Sequence, residues 1–208
     1  MSVQQEQGHR WFAALYDRIN AGSEQHLGPR VRAPLLQDLR GRVLEVGAGT
    51  GANFGYYPPE AEVVATDPDP FMLERARKKL VESGARNIEQ RQAGAASLPF
   101  EDASFDHVVS TLVFCTVSDA RSALKEIRRV LKPEGTFRFF EHIRNDESAF
   151  WGRVHDVLTP AWRWFGAGCH LNRRTHQAIE GAGFRIKRMD RVRVGPGTWA
   201  IYGVARRA

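Results

Sequence analysis

Cysteine is nearly absent from this chain: Cys115 and Cys169 are the only two in 208 residues. They form no C-x-x-C pair, so neither a zinc site nor a disulfide framework is indicated, and no metal ligand set is expected. Long apolar runs are missing as well; none approaches the roughly 18 residues that a membrane-spanning helix requires. The opening stretch, MSVQQEQGHR, is polar and lacks the apolar core of a secretory signal, which makes the cytoplasm the expected location. There is no internal repeat, low-complexity tract or linker. The chain therefore reads as one domain, residues 1–208, long enough to bury a full core.

Acid is scarcer than base: 24 Asp and Glu against 30 Lys and Arg leave a net charge of +6. Much of the excess falls late, at Arg185, Lys187, Arg188, Arg191, Arg193, Arg206 and Arg207. These interleave with Ile186, Met189, Val192 and Val194 as the solvent face of an edge strand would. No aromatic stacking pattern accompanies them. That favours a solvated face over a nucleic-acid partner.

What is present is a glycine-rich stretch, Arg42–Asn53, and an acidic turn that follows it at Thr66-Asp67-Pro68. Val43–Val46 is a short apolar run of the kind a buried strand needs, and Gly47, Gly49 and Gly51 come next. With Ala52–Tyr57 able to start a helix, this is the strand, glycine turn and helix N-terminus that cradle a nucleotide-like ligand. Two patterns fit. Gly47-Ala48-Gly49-Thr50-Gly51-Ala52 satisfies the dinucleotide form, while Glu45 at the head of E-x-G-x-G-x-G satisfies the S-adenosylmethionine form. An acidic residue on the strand suits an ammonium and a sulfonium better than two phosphates. Asp67, ending the apolar run Val63–Ala65, suits either ligand, since both offer ribose hydroxyls.

Taken in order, residues 9–40 read as a helical lead-in, with Trp11, Phe12, Leu15, Tyr16 and Ile19 at helical spacing. That segment either packs on the sheet or closes over the ligand as a lid through Tyr16-Asp17. Strands are expected at 62–66, 88–93, 105–111 and 136–140. Helices are expected after Asp69-Pro70 and after Ser118 or Asp119, the second stopped by Lys132-Pro133-Glu134-Gly135. Residues 145–170 are rich in aromatics, 172–182 read as a capped helix, and 184–194 with 199–205 read as a closing strand pair. Regular βα alternation implies a parallel sheet covered on both faces, with ligands at the carboxyl ends of its strands.

Glu45-x-Gly47-x-Gly49-x-Gly51, Asp67, Met72-Leu73, Leu98-Pro99-Phe100, Ser104-Phe105-Asp106 and Glu126-Ile127-x-Arg129-Val130-Leu131-Lys132-Pro133-x-Gly135 occur in that order over residues 40–142. Together they resemble the class I S-adenosylmethionine-dependent methyltransferases. That resemblance implies a Rossmann-like, doubly wound α/β fold whose seven-stranded sheet is mostly parallel with the last strand antiparallel. It makes residues 1–40 a helical lid and 143–182 a helical insertion on the substrate side. Further stretches are similar to a narrower group whose animal members are alkyl thiol S-methyltransferases: Gly51–Phe54, Tyr57-Pro58-Pro59, Thr111–Cys115, Glu141-His142, Pro160-Ala161-Trp162 and Gly168–Arg173. Those proteins read Cys where Ala48 stands and an acid where Thr159 stands. The polar start of this chain also departs from their apolar N-terminal anchor.

The resemblance implies S-adenosyl-L-methionine as cofactor. Glu45, Gly47, Ala48, Gly49 and Gly51 would face its methionine part, with Asn53 near the carboxylate at a helix N-terminus. Asp67 would take both ribose hydroxyls, Pro68 and Met72 would sandwich the adenine, and Gly94, Ala95 and Ala96 would pass its edge. Thr111 and Leu112 would flank the reacting centre. His142, at the end of a central strand, and Tyr16 are the candidate catalytic side chains. The expected partner is a small methyl acceptor, first a thiol or hydrosulfide, which is partly ionised near neutral pH and needs little help from a base. A C-, O- or N-methyltransferase of a quinone precursor or lipid headgroup is the alternative. A silent cofactor-binding or RNA-binding protein is the alternative of another class. Monomer and homodimer stay equally open.

Overall fold

The structure is a computed structural model that describes residues 26–145, 148, 150–157, 172–195 and 197–208. Seven strands form one sheet: β1 Gly41–Val46, β2 Ala61–Asp67, β3 Ile88–Gln92, β4 Phe105–Thr111, β5 Leu131–Ile143, β6 Phe184–Gly195 and β7 Thr198–Arg207. Their order across the sheet is β3-β2-β1-β4-β5-β7-β6. The first five pair in parallel, and β7 runs antiparallel to both its neighbours. The order reverses at β1 and β4, which opens a crevice at their carboxyl ends, where α/β sheets take ligands.

Punctuation in the sequence sets the crossovers. A π-helical turn, Gly28–Arg32, leads into a short helix α1, Ala33–Leu36. Helix α2, Pro70–Ser83, begins at Asp69, whose carboxylate accepts the Phe71 N–H at 2.8 Å. It ends at Gly84, left-handed at φ 67°, a conformation that only glycine adopts cheaply. Helix α3, Ala120–Val130, begins at Asp119, which accepts the Ser122 N–H at 2.9 Å. Its apolar stripe, Ala123, Leu124, Ile127 and Val130, is wholly buried against the sheet. Helix α4, Thr175–Gly181, precedes β6.

Several of the recurring motifs prove to be staples of this architecture. The Arg129 guanidinium binds Glu126 at 2.8 Å and Asp102 at 2.8 Å, and donates to the Leu98 and Phe100 carbonyls at 3.0 and 2.7 Å. Glu126 in turn accepts the Leu98 N–H at 2.9 Å. Asp106 accepts the Arg42 N–H at 3.0 Å and the Lys132 ammonium at 2.7 Å, joining the starts of β1, β4 and β5. All of these lie at the amino-terminal end of the sheet, away from the crevice.

Three expectations are corrected. No helix follows the glycine turn beyond one 3-10 turn, Phe54–Tyr56. The cause is local: Pro58 forces Tyr57 out of the helical region, to φ −74°, ψ 131°. The helix expected from 172 starts at Thr175, with Arg174 at its N-cap position and no side-chain cap hydrogen bond. Strand β5 starts at Leu131, opposite Phe105, and residues 132–135 bulge before Thr136 meets His107. Strand β6 is the sheet edge, with Arg185, Lys187, Arg188, Arg191 and Arg193 exposed along it. Among the described residues no helix is long and apolar enough to cross a membrane.

Phe137 sits at the centre of the core, its ring 6.2, 5.9 and 5.3 Å from those of Phe114, Phe139 and Phe184. Replacing it by alanine leaves a void that rigid strands on both sides cannot collapse. Phe137→Ala is expected to cost about 3–5 kcal/mol in urea unfolding; a loss under about 1 kcal/mol would mean the site repacks freely.

Candidate active site

The crevice is built from the last residues of β1, β2, β4 and β5 and the turns that leave them. Gly47, Gly49 and Gly51 all have positive φ, at 67, 56 and 81°. The first and third are packed: a Cβ on Gly47 would strike the Val113 side chain, and one on Gly51 the Phe54 ring. Gly49 differs. A Cβ there would meet nothing within 4 Å, so the turn presents bare backbone to open space. Ala48 behind it is buried, its N–H donating to the Thr66 carbonyl at 2.8 Å.

Asp67, at the tip of β2, faces that turn. Its carboxylate accepts the Gly49 N–H at 2.9 Å and the Asp69 N–H at 2.9 Å, which fixes it beside the bare glycine. Pro68 is half-buried and Met72 buried on the adjoining face. Across from them, Gly94, Ala95 and Ala96 make a turn closed by the Ser97 N–H donating to the Gly94 carbonyl at 3.2 Å. A Cβ on Gly94 would also meet open space. The residues expected on β2 and after β3 lie side by side at this end of the crevice, the Ala93 N–H donating to the Asp67 carbonyl at 3.2 Å.

Glu45 and Asn53 do not lie on the crevice surface. Glu45 is 1% exposed, and its two oxygens accept the Asn53 amide at 2.8 Å and the Tyr57 hydroxyl at 2.9 Å. Asn53 is fully buried and also donates to the Thr111 hydroxyl at 3.1 Å. Asn53 does stand at a helix N-terminus, but that of the single 3-10 turn Phe54–Tyr56, and its side chain makes no cap hydrogen bond there. Positive charge comes from Arg32 instead, buried on the π-helical turn, which donates to Asn53 Oδ1 at 2.6 Å and to Thr111 at 3.1 Å. Its guanidinium lies 5.7 Å from the centre of the Phe140 ring. Neither Arg32 nor Tyr57 is legible as part of the site from sequence. The faint signal for Arg32 is a lone cation between Val31 and Ala33-Pro34-Leu35-Leu36.

On the other flank, Leu112 has φ 60°, a left-handed conformation uncommon for a side chain of its size. It is held there by its N–H, which donates to the Phe140 carbonyl at 2.7 Å. Glu141, fully buried at the end of β5, accepts the Ser110 hydroxyl at 2.7 Å and the Val113 and Phe114 N–H groups at 3.1 and 2.9 Å. His142 is half-buried beside it, and its carbonyl accepts the Thr175 hydroxyl at 3.3 Å. Tyr16 lies outside the described residues, as do Trp162, Trp164 and Phe165 of the aromatic stretch. His155 is buried, while Asp156 is exposed and paired with Arg144 at 2.8 Å, so the two make no dyad.

Sheet order, glycine turn and the acid at the tip of β2 define a Rossmann-like methyltransferase architecture. The methyltransferase domain family matches residues 44–139. Thiol S-methyltransferase TMT1B of Rattus norvegicus is 39% identical over 186 residues, covering 84% of this chain and 75% of that protein. Thiol S-methyltransferase TMT1A of Homo sapiens is 34% identical over 213 residues, covering 94% and 86%. The crystal structure of a SAM-dependent methyltransferase from Methanosarcina mazei superposes with a TM-score of 0.67 at 18% identity, over 84% of this chain and 95% of that one. The chain belongs to the class I S-adenosylmethionine-dependent methyltransferases, and its relatives support small-molecule methylation.

Glu45 and Glu141 are both pushed up to about 7, first by burial, against hydrogen bonds from Asn53 and Tyr57 or from Ser110 and two backbone amides that pull the other way. Between their ordinary value of 4.5 and about 7, the folded protein holds protons that the unfolded chain has released. This stabilisation is present in full below 4.5 and is lost as pH rises through about 7. In denaturant titrations, the stability of the wild type relative to Glu45→Gln is therefore expected to fall from about pH 5 to about pH 8. A difference independent of pH would show that Glu45 stays ionised throughout.

Proposed function

We propose that the protein transfers the methyl group of S-adenosylmethionine to a thiol or hydrosulfide. The observation that carries the acceptor is the match to thiol S-methyltransferases over 84 and 94% of the chain. The geometry at the glycine turn supports the same cofactor. Gly49 leaves a gap that a Cβ would fill, and Asp67 holds a carboxylate against that gap. In this reading the backbone of Gly47–Gly51 lies along the methionine part, with Ala48 behind it. Asp67 takes the ribose hydroxyls, Pro68 and Met72 cover one face of the adenine, and Gly94–Ala96 passes its edge. Glu45 and Asn53 act from behind the turn, holding its shape. Arg32 adds the positive charge that favours a carboxylate nearby.

Bound S-adenosylmethionine supplies a methyl carbon already activated by a sulfonium. The protein's task is to bring an acceptor sulfur in line with it and keep water out. Thr111 and Leu112 border the place where that approach ends. A sulfur–carbon bond forms as the sulfonium–carbon bond breaks, giving a thioether and S-adenosylhomocysteine, and the thiol proton is released before or during attack. His142, at the end of β5, is the group assigned to receive it.

Release of S-adenosylhomocysteine is expected with hydrosulfide and short alkyl thiols, and not with catechols, amines or phosphatidylethanolamine. Turnover confined to the latter set would overturn the acceptor assignment while leaving methyl transfer intact. Asp67→Asn exchanges one acceptor oxygen for a donor. It should weaken S-adenosylhomocysteine binding by about tenfold or more in calorimetry; unaltered affinity would remove Asp67 from the cofactor site.

A further inference from the structure

The segment that leaves β4, residues 112–117, is gripped from opposite sides by two charged side chains to which the methyl-transfer reading gives no part. From the sheet side, Glu141 accepts the N–H groups of Val113 and Phe114 at 3.1 and 2.9 Å. From the other side, the Arg173 guanidinium donates to the carbonyl of Phe114 and to that of Val117, the latter at 2.7 Å. Phe114 thus has its N–H on an acid and its C=O on a base. Between these anchors the chain closes one tight turn, with the N–H groups of Thr116 and Val117 donating to the Val113 carbonyl at 2.9 and 3.0 Å.

Both anchors rest on the end of one strand. Glu141 belongs to β5. Arg173 is fastened to it through its own carbonyl, which accepts the Arg144 N–H at 3.0 Å, and two residues later Thr175 donates to the His142 carbonyl. The clamped turn opens with Leu112 in its left-handed conformation and carries Cys115, 2% exposed, whose thiol donates to the Leu112 carbonyl at 3.3 Å. A bulky residue keeps such a conformation only when its surroundings over-determine it. Here three successive N–H groups, those of Leu112, Val113 and Phe114, are taken by Phe140 and Glu141.

We propose that Glu141 and Arg173 are positioning residues that together set the acceptor-side wall of the active site by clamping residues 112–117. The inference rests on the methyl-transfer reading and assigns neither residue a contact with the reacting atoms. It places acceptor recognition under the control of two buried or half-buried charges more than thirty residues apart and leaves cofactor recognition to the glycine turn and Asp67.

The test uses Glu141→Gln, Arg173→Met and Arg173→Lys in the full chain, with amide hydrogen exchange, S-adenosylhomocysteine calorimetry and steady-state kinetics. Exchange at residues 112–117 should accelerate about tenfold or more in Glu141→Gln and Arg173→Met, while amides of β1 and β2 stay protected. The acceptor kcat/KM should fall about tenfold or more while the S-adenosylhomocysteine Kd moves less than about threefold. Arg173→Lys, which can still reach one carbonyl, should recover most of that loss, and the double variant should be non-additive because both members hold one turn. Val113 also packs against Gly47. Equal losses in acceptor kcat/KM and cofactor affinity would therefore mean that Glu141 and Arg173 merely support the glycine turn, and would overturn the proposal. So would unaltered exchange or unaltered acceptor kinetics in folded variants. Exchange is read without turnover, so a wild type that binds no S-adenosylhomocysteine would sink the methyl-transfer reading and leave the clamp to be judged by exchange alone.

Discussion

A carboxylate buried at the end of β1 is the constraint on which the crevice depends. Glu45 has given up its hydration entirely, and the cost is offset only because Asn53 and Tyr57 both reach it. Reaching it dictates the path of the chain. After Gly51 the backbone folds inward so that Asn53 lies under the turn, and Pro58-Pro59 then ends any helix before it has begun. A fold of this type commonly places a helix dipole behind the ligand. Here the positive group nearest that turn's buried network is Arg32, carried in from the N-terminal side and bound to the same Asn53.

A second buried carboxylate mirrors the first. Glu45 and Glu141 sit at the ends of β1 and β5, on either side of β4, and each gathers donors from the turn beside it. The first shapes the side assigned to the cofactor, the second the side assigned to the acceptor. Thr111 stands between them, its hydroxyl tied to both Arg32 and Asn53. The two halves of the site therefore share a frame in which every polar group named is partnered. Such networks specify one geometry, because a displaced member leaves another buried without a partner.

Much of this was legible in the sequence, for reasons that differ between its parts. The sheet and its order follow from βα punctuation and from motifs that turn out to be structural. Arg129 reads Leu98 to Phe100, and Asp106 joins Arg42 to Lys132, so those patterns report the architecture and not the chemistry. The glycines were legible because a positive φ admits few residue types, and Asp67 because an acid ending the second strand stands against that turn. Arg32, Tyr57, Glu141 and Arg173 were not legible in their roles. Their partners lie between 12 and 79 residues away along the chain, and local sequence carries no record of so distant a partner. Ala52–Tyr57 can form a helix in isolation, but Pro58 and the hydrogen bond of Asn53 to Glu45 hold the segment to a single 3-10 turn.

The distribution of polar groups bears on the kind of acceptor the site can serve. At the ends of β1, β4 and β5 the strong acceptors, Glu45 and Glu141, are enclosed and already engaged, and both are raised toward neutrality. Enclosed and bound to donors from the turns beside them, neither carboxyl is placed to meet an acceptor directly. His142 is then the titratable side chain at this end of β5 that is neither a carboxylate nor fully enclosed. An amine or an unactivated hydroxyl asks for proton removal during attack. A thiol arrives partly ionised, and its sulfur is soft and weakly hydrated, so alignment in a dry crevice accounts for most of what it needs. The thiol proposed as acceptor is thus the one that asks least of the enclosed carboxyls Glu45 and Glu141.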